Sequence, residues 1–236
     1  MYNLAQKLIA EFLGTFTIVL ISTGAICTDQ YLTVTGKSGL GVLGIAVATG
    51  VAIGVMVMAI GHISGGHFNP AVTIGIWVTR RLGSLDAILY WAAQLLGAMS
   101  GAYTVKAIVS DAFWEPVALG TPALAPDFSR THAMALEGVT TFLWVFIFFA
   151  TVVDAKGAFD RIAVFATGLT AAMGTLLAYP FTGAAMSPAR AFGPALASGH
   201  WTNHGVYWVG PLFGGVLAGF IYDRIFLRRQ NPIRAS

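Results

Sequence analysis

The sequence predicts an all-α membrane protein in which six helices cross the bilayer and two half-helices enter it, arranged as an inverted repeat. Three observations lead to this fold class: the composition, the lengths of the apolar stretches, and a repeat between the two halves of the chain. Of the 236 residues, 56% are hydrophobic and 10% are charged, whereas soluble domains carry about 25% charged residues. Because the chain also has no dense run of Lys and Arg, we expect neither a soluble enzyme nor a nucleic-acid-binding protein.

Six apolar stretches are long enough to cross a membrane. A transmembrane helix needs about 20 mostly apolar residues. The stretches that meet this requirement are Leu4–Cys27, Leu40–Ile60, Leu85–Val109, His132–Val153, Ile162–Pro180 and Gly205–Leu227. We predict a spanning helix in each.

Two further apolar stretches, Phe68–Val78 and Ser187–Ala197, are too short to cross. Each opens with a helix-start signal, in which Asn69 or Ser187 can cap the first free N–H groups and the following Pro suits the first helical position. These stretches predict two half-helices that stop near the middle of the membrane.

Positive charges predict the orientation, since Lys and Arg concentrate in cytoplasmic segments. With the N-terminus in the cytoplasm, the cytoplasmic side carries Lys7, Arg80, Arg81, Lys156, Arg161, Arg224, Arg228, Arg229 and Arg234. The outer side carries Lys37, Lys106, Arg130 and Arg190. Both termini are therefore predicted to be cytoplasmic, and the connection 110–131 is predicted to be an irregular outer loop.

The two halves of the chain repeat the same pattern. Glu11 and Glu137 each precede a Thr by four residues, early in an apolar span, and each is followed by a second span and a half-helix. The repeats cover about residues 1–110 and 130–236 of a single channel domain, 1–236. Three spans separate the matched segments, and an odd number reverses the direction, which predicts inverted topology.

Inverted topology brings the N-terminal ends of the two half-helices together near the midplane. A helix N-terminus behaves as roughly half a positive charge, so the pair should repel cations and protons and admit neutral molecules. Irregular backbone at membrane depth is tolerated where it lines a cavity or packs on protein. We therefore expect the loops Gly61–Asn69 and Pro180–Ser187 to line a pore.

Four short motifs resemble those of the major intrinsic protein family, the aquaporins and aquaglyceroporins. They are Ala10-Glu11-Phe12-Leu13-Gly14-Thr15, the stretch Gly-His-Ile-Ser-Gly-Gly-His-Phe-Asn-Pro-Ala-Val at 61–72, Ala93-Gln94-Leu95-Leu96-Gly97-Ala98, and Ser187-Pro188-Ala189-Arg190. The resemblance implies one pore per subunit of a homotetramer in a lipid bilayer, with no cofactor, metal or catalytic residue. The pore midpoint that it implies is formed by Asn69, Pro70, Ala71, Ser187, Pro188 and Ala189.

The resemblance also maps a selectivity filter onto Thr49, Thr175, Ala184 and Arg190. Water-selective members place an aromatic residue and a His where this chain has the two Thr, and the second motif here begins with Ser187 instead of Asn. These departures predict an open, aromatic-free, polar filter that suits small neutral solutes such as glycerol, urea and arsenous acid. By contrast, Ala191 and the pair Tyr207-Trp208 resemble the water-channel branch. The short termini and the unusual second motif favour a bacterial inner membrane.

Two alternatives remain open. The chain could be a strictly water-selective channel, or a proton-coupled secondary transporter, since such transporters also use inverted repeats and buried Glu11 and Glu137 could carry protons. The simpler interpretation of the two carboxylates, and of His67, is that they support the re-entrant loops.

Overall fold

The computed structural model describes residues 2–155 and 165–227, and within these ranges all regular elements are helical. The helices are α1 (Leu4–Val34), α2 (Gly41–Ser64), α3 (Pro70–Val78), α4 (Ser84–Ile108), α5 (Asp111–Trp114), α6 (Arg130–Phe148), α7 (Phe165–Thr182), α8 (Pro188–Ser198) and α9 (Val206–Tyr222). Short π-helical turns, Phe149–Val153 and Asp223–Leu227, continue α6 and α9. The predicted fold class, with its six long helices and two half-helices, is confirmed.

Among the described residues, α1, α2, α6 and α9, the last two with their π-helical turns, are long and apolar enough to cross a membrane by themselves. The other two long helices do not meet this criterion. Helix α4 has 25 residues but is more polar, and the described part of α7 has only 18 residues. The predicted fifth span, Ile162–Pro180, begins outside the described residues. Helix α1 continues past the predicted end at Cys27 to Val34, where its backbone hydrogen bonds extend beyond the apolar stretch.

The two half-helices begin where the capping signals predict. The Asn69 Oδ1 atom accepts the Ala71 N–H at 2.8 Å, and the Ser187 Oγ atom accepts the Arg190 N–H at 3.3 Å. Helix α3 has nine residues and α8 has 11, which at 1.5 Å per residue gives each roughly half the ~30 Å thickness of the hydrocarbon core.

Glycine contacts show how the two halves of the chain pack on each other. Gly75 of α3 faces the backbone of Gly215 on α9, and Gly193 of α8 faces the backbone of Ala98 on α4, with no room for a Cβ at either glycine. Each half-helix therefore packs on a spanning helix of the opposite half. Small residues of this kind allow helix backbones to approach closely within a membrane.

Helices α2 and α7 cross at a reciprocal contact. A Cβ on Gly50 would meet the Gly168 carbonyl oxygen, and a Cβ on Gly168 would meet the Gly50 carbonyl oxygen. Such a mutual contact is what a two-fold relation between the halves produces.

The predicted irregular connection between the halves contains α5 and a 3₁₀ turn, Ala118–Gly120. All three residues of this turn have positive φ. The Thr121 and Ser198 hydroxyls are 3.0 Å apart, which ties the connection to the end of α8. Of the charges used to predict orientation, Lys156, Arg161, Arg228, Arg229 and Arg234 lie outside the described residues.

Candidate functional site

Glu11 holds the first re-entrant loop from the inside of the protein. Its fully buried carboxylate accepts the Ser64 hydroxyl at 2.6 Å and the backbone N–H groups of His67 and Phe68 at 3.0 and 2.7 Å. The Gln94 amide donates a fourth hydrogen bond at 2.7 Å. The backbone N–H groups of His67 and Phe68 would otherwise be unpaired in a loop between two helices. By accepting them, the carboxylate fixes the loop.

Glu137 does the same for the second loop. It accepts the Thr182 hydroxyl at 2.7 Å and the backbone N–H groups of Ala185 and Met186 at 3.0 and 2.7 Å. Gln94 lies four residues after Tyr90, and the residue four positions after Tyr207 on α9 is Pro211. Because proline has no side-chain donor, Glu137 lacks a counterpart of the Gln94 bond. The two carboxylates therefore occupy equivalent places in the inverted repeat.

Both loops are shorter than the sequence predicts. Helix α2 continues through Gly61 to Ser64, and α7 continues through Pro180 to Thr182. The predicted loop boundaries at Gly61 and Pro180 are therefore wrong. A proline is tolerated within a membrane helix when neighbouring groups satisfy the backbone that it frees.

Three residues of these loops other than glycine have left-handed backbone conformations. Phe68, Ala184 and Met186 all have a φ of 48°. Each such residue costs on the order of 1–2 kcal/mol. The hydrogen bonds to the two glutamates, which involve the N–H groups of Phe68 and Met186 themselves, offset this cost and hold the loops in shape.

His67 packs inside the first half. Its Nδ1 lies 3.1 Å from the Thr73 hydroxyl, which also bonds the Asn69 carbonyl and the Gln94 amide. The His67 ring is also in edge contact with Tyr90.

The predicted pore-midpoint residues lie close together. The Asn69 amide donates to the Met186 carbonyl at 2.9 Å, which joins the two re-entrant loops directly. Asn69, Ala71 and Ala189 are fully buried, whereas Ser187 lines a cavity. The Pro70 carbonyl accepts the Trp91 indole N–H, and Pro188 forms the first turn of α8.

A narrow central cavity lies where the loops meet. It offers about 20 Å³ to the centre of a water molecule, which is room for about one water. The residues that line it are Thr15, Ile18, Val19, Thr49, Ile53, Phe68, Trp144, Ala184, Ala185, Met186, Ser187 and Arg190.

Three of the four predicted filter residues line this central cavity: Thr49, Ala184 and Arg190. Thr175 does not belong to the lining. It is buried, and its hydroxyl donates back to the Ala171 carbonyl of its own helix at 2.9 Å. The structure thus brings together three of the predicted filter residues with one predicted midpoint residue, Ser187.

Arg190 supplies a buried positive charge to the central cavity. Its side chain is 6% exposed, and its Nη1 donates to the Gly120 carbonyl at 2.9 Å. Within the described residues, no carboxylate lies within ion-pair distance of it. The strained turn Ala118–Gly120 therefore positions the guanidinium without neutralising it.

Wider spaces lie on two sides of the central cavity. The His62 vestibule, of about 760 Å³, is lined by Val57, Met58, Gly61, His62, Gly65, Thr151 and Val152. The Thr121 vestibule, of about 260 Å³, is lined by Ile26, Val117, Gly120, Thr121, Pro122, Ala123, Tyr179 and Gly183. On α2, Thr49 and Ile53 line the central cavity and Val57 and Gly61 line the His62 vestibule, so one helix face runs along both spaces.

Several residues of the site were not predicted. The hydroxyls of Tyr90 and Tyr207 donate to the carbonyls of Ser64 and Thr182 at 2.8 and 2.9 Å. The sequence does contain a pattern for Ser64 and Thr182, because each is a hydroxyl residue five positions before a half-helix cap. Trp144 lines the central cavity but had no such signal, because an aromatic residue in an apolar span is most simply a packing residue.

Long helices around two half-helices that are joined end to end, with cavities along their meeting point, define an integral membrane protein of the channel class. The sequence profile described as "Major intrinsic protein" matches residues 1–222. The chain belongs to the major intrinsic protein family.

Similar proteins agree with this assignment. The chain is 45% identical to "Aquaporin TIP4-1" of Zea mays over 78% of this chain and 70% of that protein, and 41% identical to "Aquaporin TIP4-1" of Arabidopsis thaliana over 96% and 88%. "Aquaporin-4" of Bos taurus is 38% identical over 92% and 66%. The X-ray structure of the aquaglyceroporin from Plasmodium falciparum superimposes with a TM-score of 0.83, at 25% identity, over 96% of this chain and 98% of that one. These relatives, from plants and cattle, lend no support to the expected bacterial membrane.

Proposed function

We propose that this protein is a passive channel for water and for small uncharged solutes of the class of glycerol, urea and neutral metalloid hydroxides. The observation that carries the proposal is the meeting of Thr49, Ala184, Ser187 and Arg190 around one cavity between the two half-helices. These side chains offer hydroxyl and guanidinium donors, and none of the filter positions holds an aromatic ring that would narrow the passage.

Electrostatics explains why ions and protons are excluded. The N-terminal ends of α3 and α8 meet beside the central cavity, and each contributes partial positive charge. Arg190 adds a full charge, and among the described residues no carboxylate lies within ion-pair distance of its guanidinium. In a medium of low dielectric constant these charges repel a cation strongly, whereas a neutral molecule can accept hydrogen bonds from them.

A strictly water-selective channel is the second candidate, and the volume of the central cavity favours it. Because about 20 Å³ holds about one water molecule, urea or glycerol can pass only if the lining side chains move. Both candidates share the same path and differ in the size of the largest solute that passes.

Proteoliposomes that contain the purified chain test the proposal. We expect fast shrinkage in an impermeant osmolyte and fast reswelling in glycerol or urea, followed by light scattering, together with uptake of arsenous acid. Water flux equal to that of empty liposomes would refute a channel. Water flux without flux of any larger solute would support the second candidate.

A filter variant separates the two roles of the site. Thr49→Phe adds bulk to the lining of the central cavity, so we expect the fluxes of urea and glycerol to fall by a larger factor than the water flux. The matched control is Thr79→Phe, at a buried threonine outside the lining of the central cavity.

We further propose that four copies assemble in the bilayer, with one pore in each, and that both termini are cytoplasmic. Chemical cross-linking in the membrane would test the assembly, and labelling of a cysteine introduced at Tyr2 from either side would test the orientation.

A further inference from the structure

We propose that Trp144 sets the size limit of the channel, at a constriction between the central cavity and the His62 vestibule. This inference rests on the proposed conduction path. It assigns solute discrimination to a residue outside the four filter positions.

The position of Trp144 along its helix places it at this boundary. Trp144 lines the central cavity, and Thr151 of the continuation of α6 lines the His62 vestibule. The two residues lie seven positions apart along one continuous helix, whose last turn is π-helical, so the helix passes from the central cavity to the His62 vestibule between them. On α2, Ile53 lines the central cavity and Val57 lines the His62 vestibule, so the boundary between the two spaces lies between these residues.

Trp144 is also the largest side chain that lines the central cavity. The other aromatic residue of the lining, Phe68, has its ring packed directly against Gly14 of α1, which leaves no space for a Cβ there. Small residues belong to the same apolar cluster as Trp144, among them Ala171 and Ala184. The indole thus occupies space that the small residues leave open.

The indole N–H has a chemical role as well. Trp144 is 5% exposed, and its Nε1 has no acceptor among the described residues. A buried N–H without a partner is unfavourable, and native proteins seldom leave one. A permeating molecule that carries an oxygen atom can accept this hydrogen bond. The geometry therefore points to Trp144 as both a steric limit and a donor to water, urea or a polyol.

Permeability ratios of two variants test the inference. We expect Trp144→Leu to raise the permeability to urea and glycerol by at least about tenfold relative to that of water, since small differences in pocket size change discrimination by this order. Trp144→Phe keeps an aromatic ring of smaller size and removes the N–H, so we expect a smaller rise. Stopped-flow light scattering on proteoliposomes with equal amounts of protein gives each ratio.

The matched control is Trp77→Leu, because Trp77 is an exposed residue of α3 whose indole N–H already bonds the Ser84 hydroxyl at 3.1 Å. A urea-to-water ratio for Trp144→Leu equal to that of Trp77→Leu would overturn the inference. If Trp144→Leu does not fold, Trp144→Phe decides, and a wild-type ratio in that variant would overturn the inference. The water flux of the wild type tests the proposed channel function separately.

Discussion

In the proposed channel, Arg190 is the residue on which we expect ion exclusion to depend most. It is buried, it is held in place by the Gly120 carbonyl, and within the described part of the chain it has no carboxylate in contact. Burial of an unpaired charge is costly, so a charge in this place needs a functional reason. Under the proposed channel function, repulsion of cations supplies that reason.

We therefore expect Arg190→Ala to raise cation leakage by about tenfold, which corresponds to about 1.4 kcal/mol in the barrier. The effect is limited because the half-helix N-termini keep their partial charges. Potassium flux into proteoliposomes at a fixed membrane potential measures it. Arg81→Ala is the control, since Arg81 pairs with Asp223 at 2.9 Å outside the lining of the central cavity. Equal leakage in the two variants would show that Arg190 does not carry the barrier.

Ser187 breaks the symmetry of the pore midpoint. The Asn69 amide bonds the Met186 carbonyl, but a serine hydroxyl is too short to make the equivalent bond to the Phe68 carbonyl. We expect Ser187→Asn to supply that bond, and to raise stability by about 1 kcal/mol while reducing the permeability to larger solutes.

Ser187→Ala is the opposite change at the same position. It removes the cap on α8 and should lower stability by about 1 kcal/mol. Thermal unfolding of both variants in the same detergent measures the two shifts, and shifts of equal sign would contradict this account.

At the scale of elements, packing depends on glycines at helix crossings. Gly168 of α7 has no room for a Cβ because the Gly50 carbonyl of α2 lies against it. We expect Gly168→Ala to force these helices apart and to lower the yield of folded protein severely. Gly24→Ala is the matched control, because its nearest neighbour, a Val105 methyl, would be 4.0 Å from the new Cβ. That variant should be neutral or slightly stabilising, since alanine favours helices. Size-exclusion profiles in detergent compare the two, and a normal profile for Gly168→Ala would contradict the tight crossing.

The starts of the elements could be predicted from the sequence because capping is local. Asn69-Pro70 and Ser187-Pro188 mark the first residues of both half-helices whatever surrounds them. Helix ends were less predictable, since α1 and α2 continue beyond their apolar stretches, where hydropathy carries no information.

The site was predictable where a residue departs from its surroundings. Glu11 and Glu137 stand out as lone carboxylates in apolar spans, and the structure shows both bonded to the loops. The direction of a side chain is set by packing across the bundle, which a sequence pattern does not contain. For that reason the Thr175 hydroxyl, which turns back to its own helix, and the placement of Trp144 could not be predicted.

For the whole molecule, the arrangement of charges and cavities favours passive flow over coupled transport. A proton-coupled transporter needs a carboxylate that reaches the solute path and changes partners. Glu11 and Glu137 already accept four and three hydrogen bonds from the loops and their neighbours. Neither belongs to the lining of the central cavity, so neither is placed to exchange protons with a solute.

We accordingly expect the flux of urea or glycerol to follow its own concentration gradient alone. In proteoliposomes with an imposed proton gradient, the rate should be the same before and after addition of a protonophore, and the internal concentration should level off at the external one. Glu137→Gln should lower thermal stability, because the amide nitrogen would replace a carboxylate oxygen that accepts a backbone N–H in the wild type. The flux per folded protein should nevertheless stay unchanged. Accumulation above the external concentration, lost on addition of the protonophore and in Glu137→Gln, would instead assign the buried carboxylate to proton transfer and the protein to coupled transport.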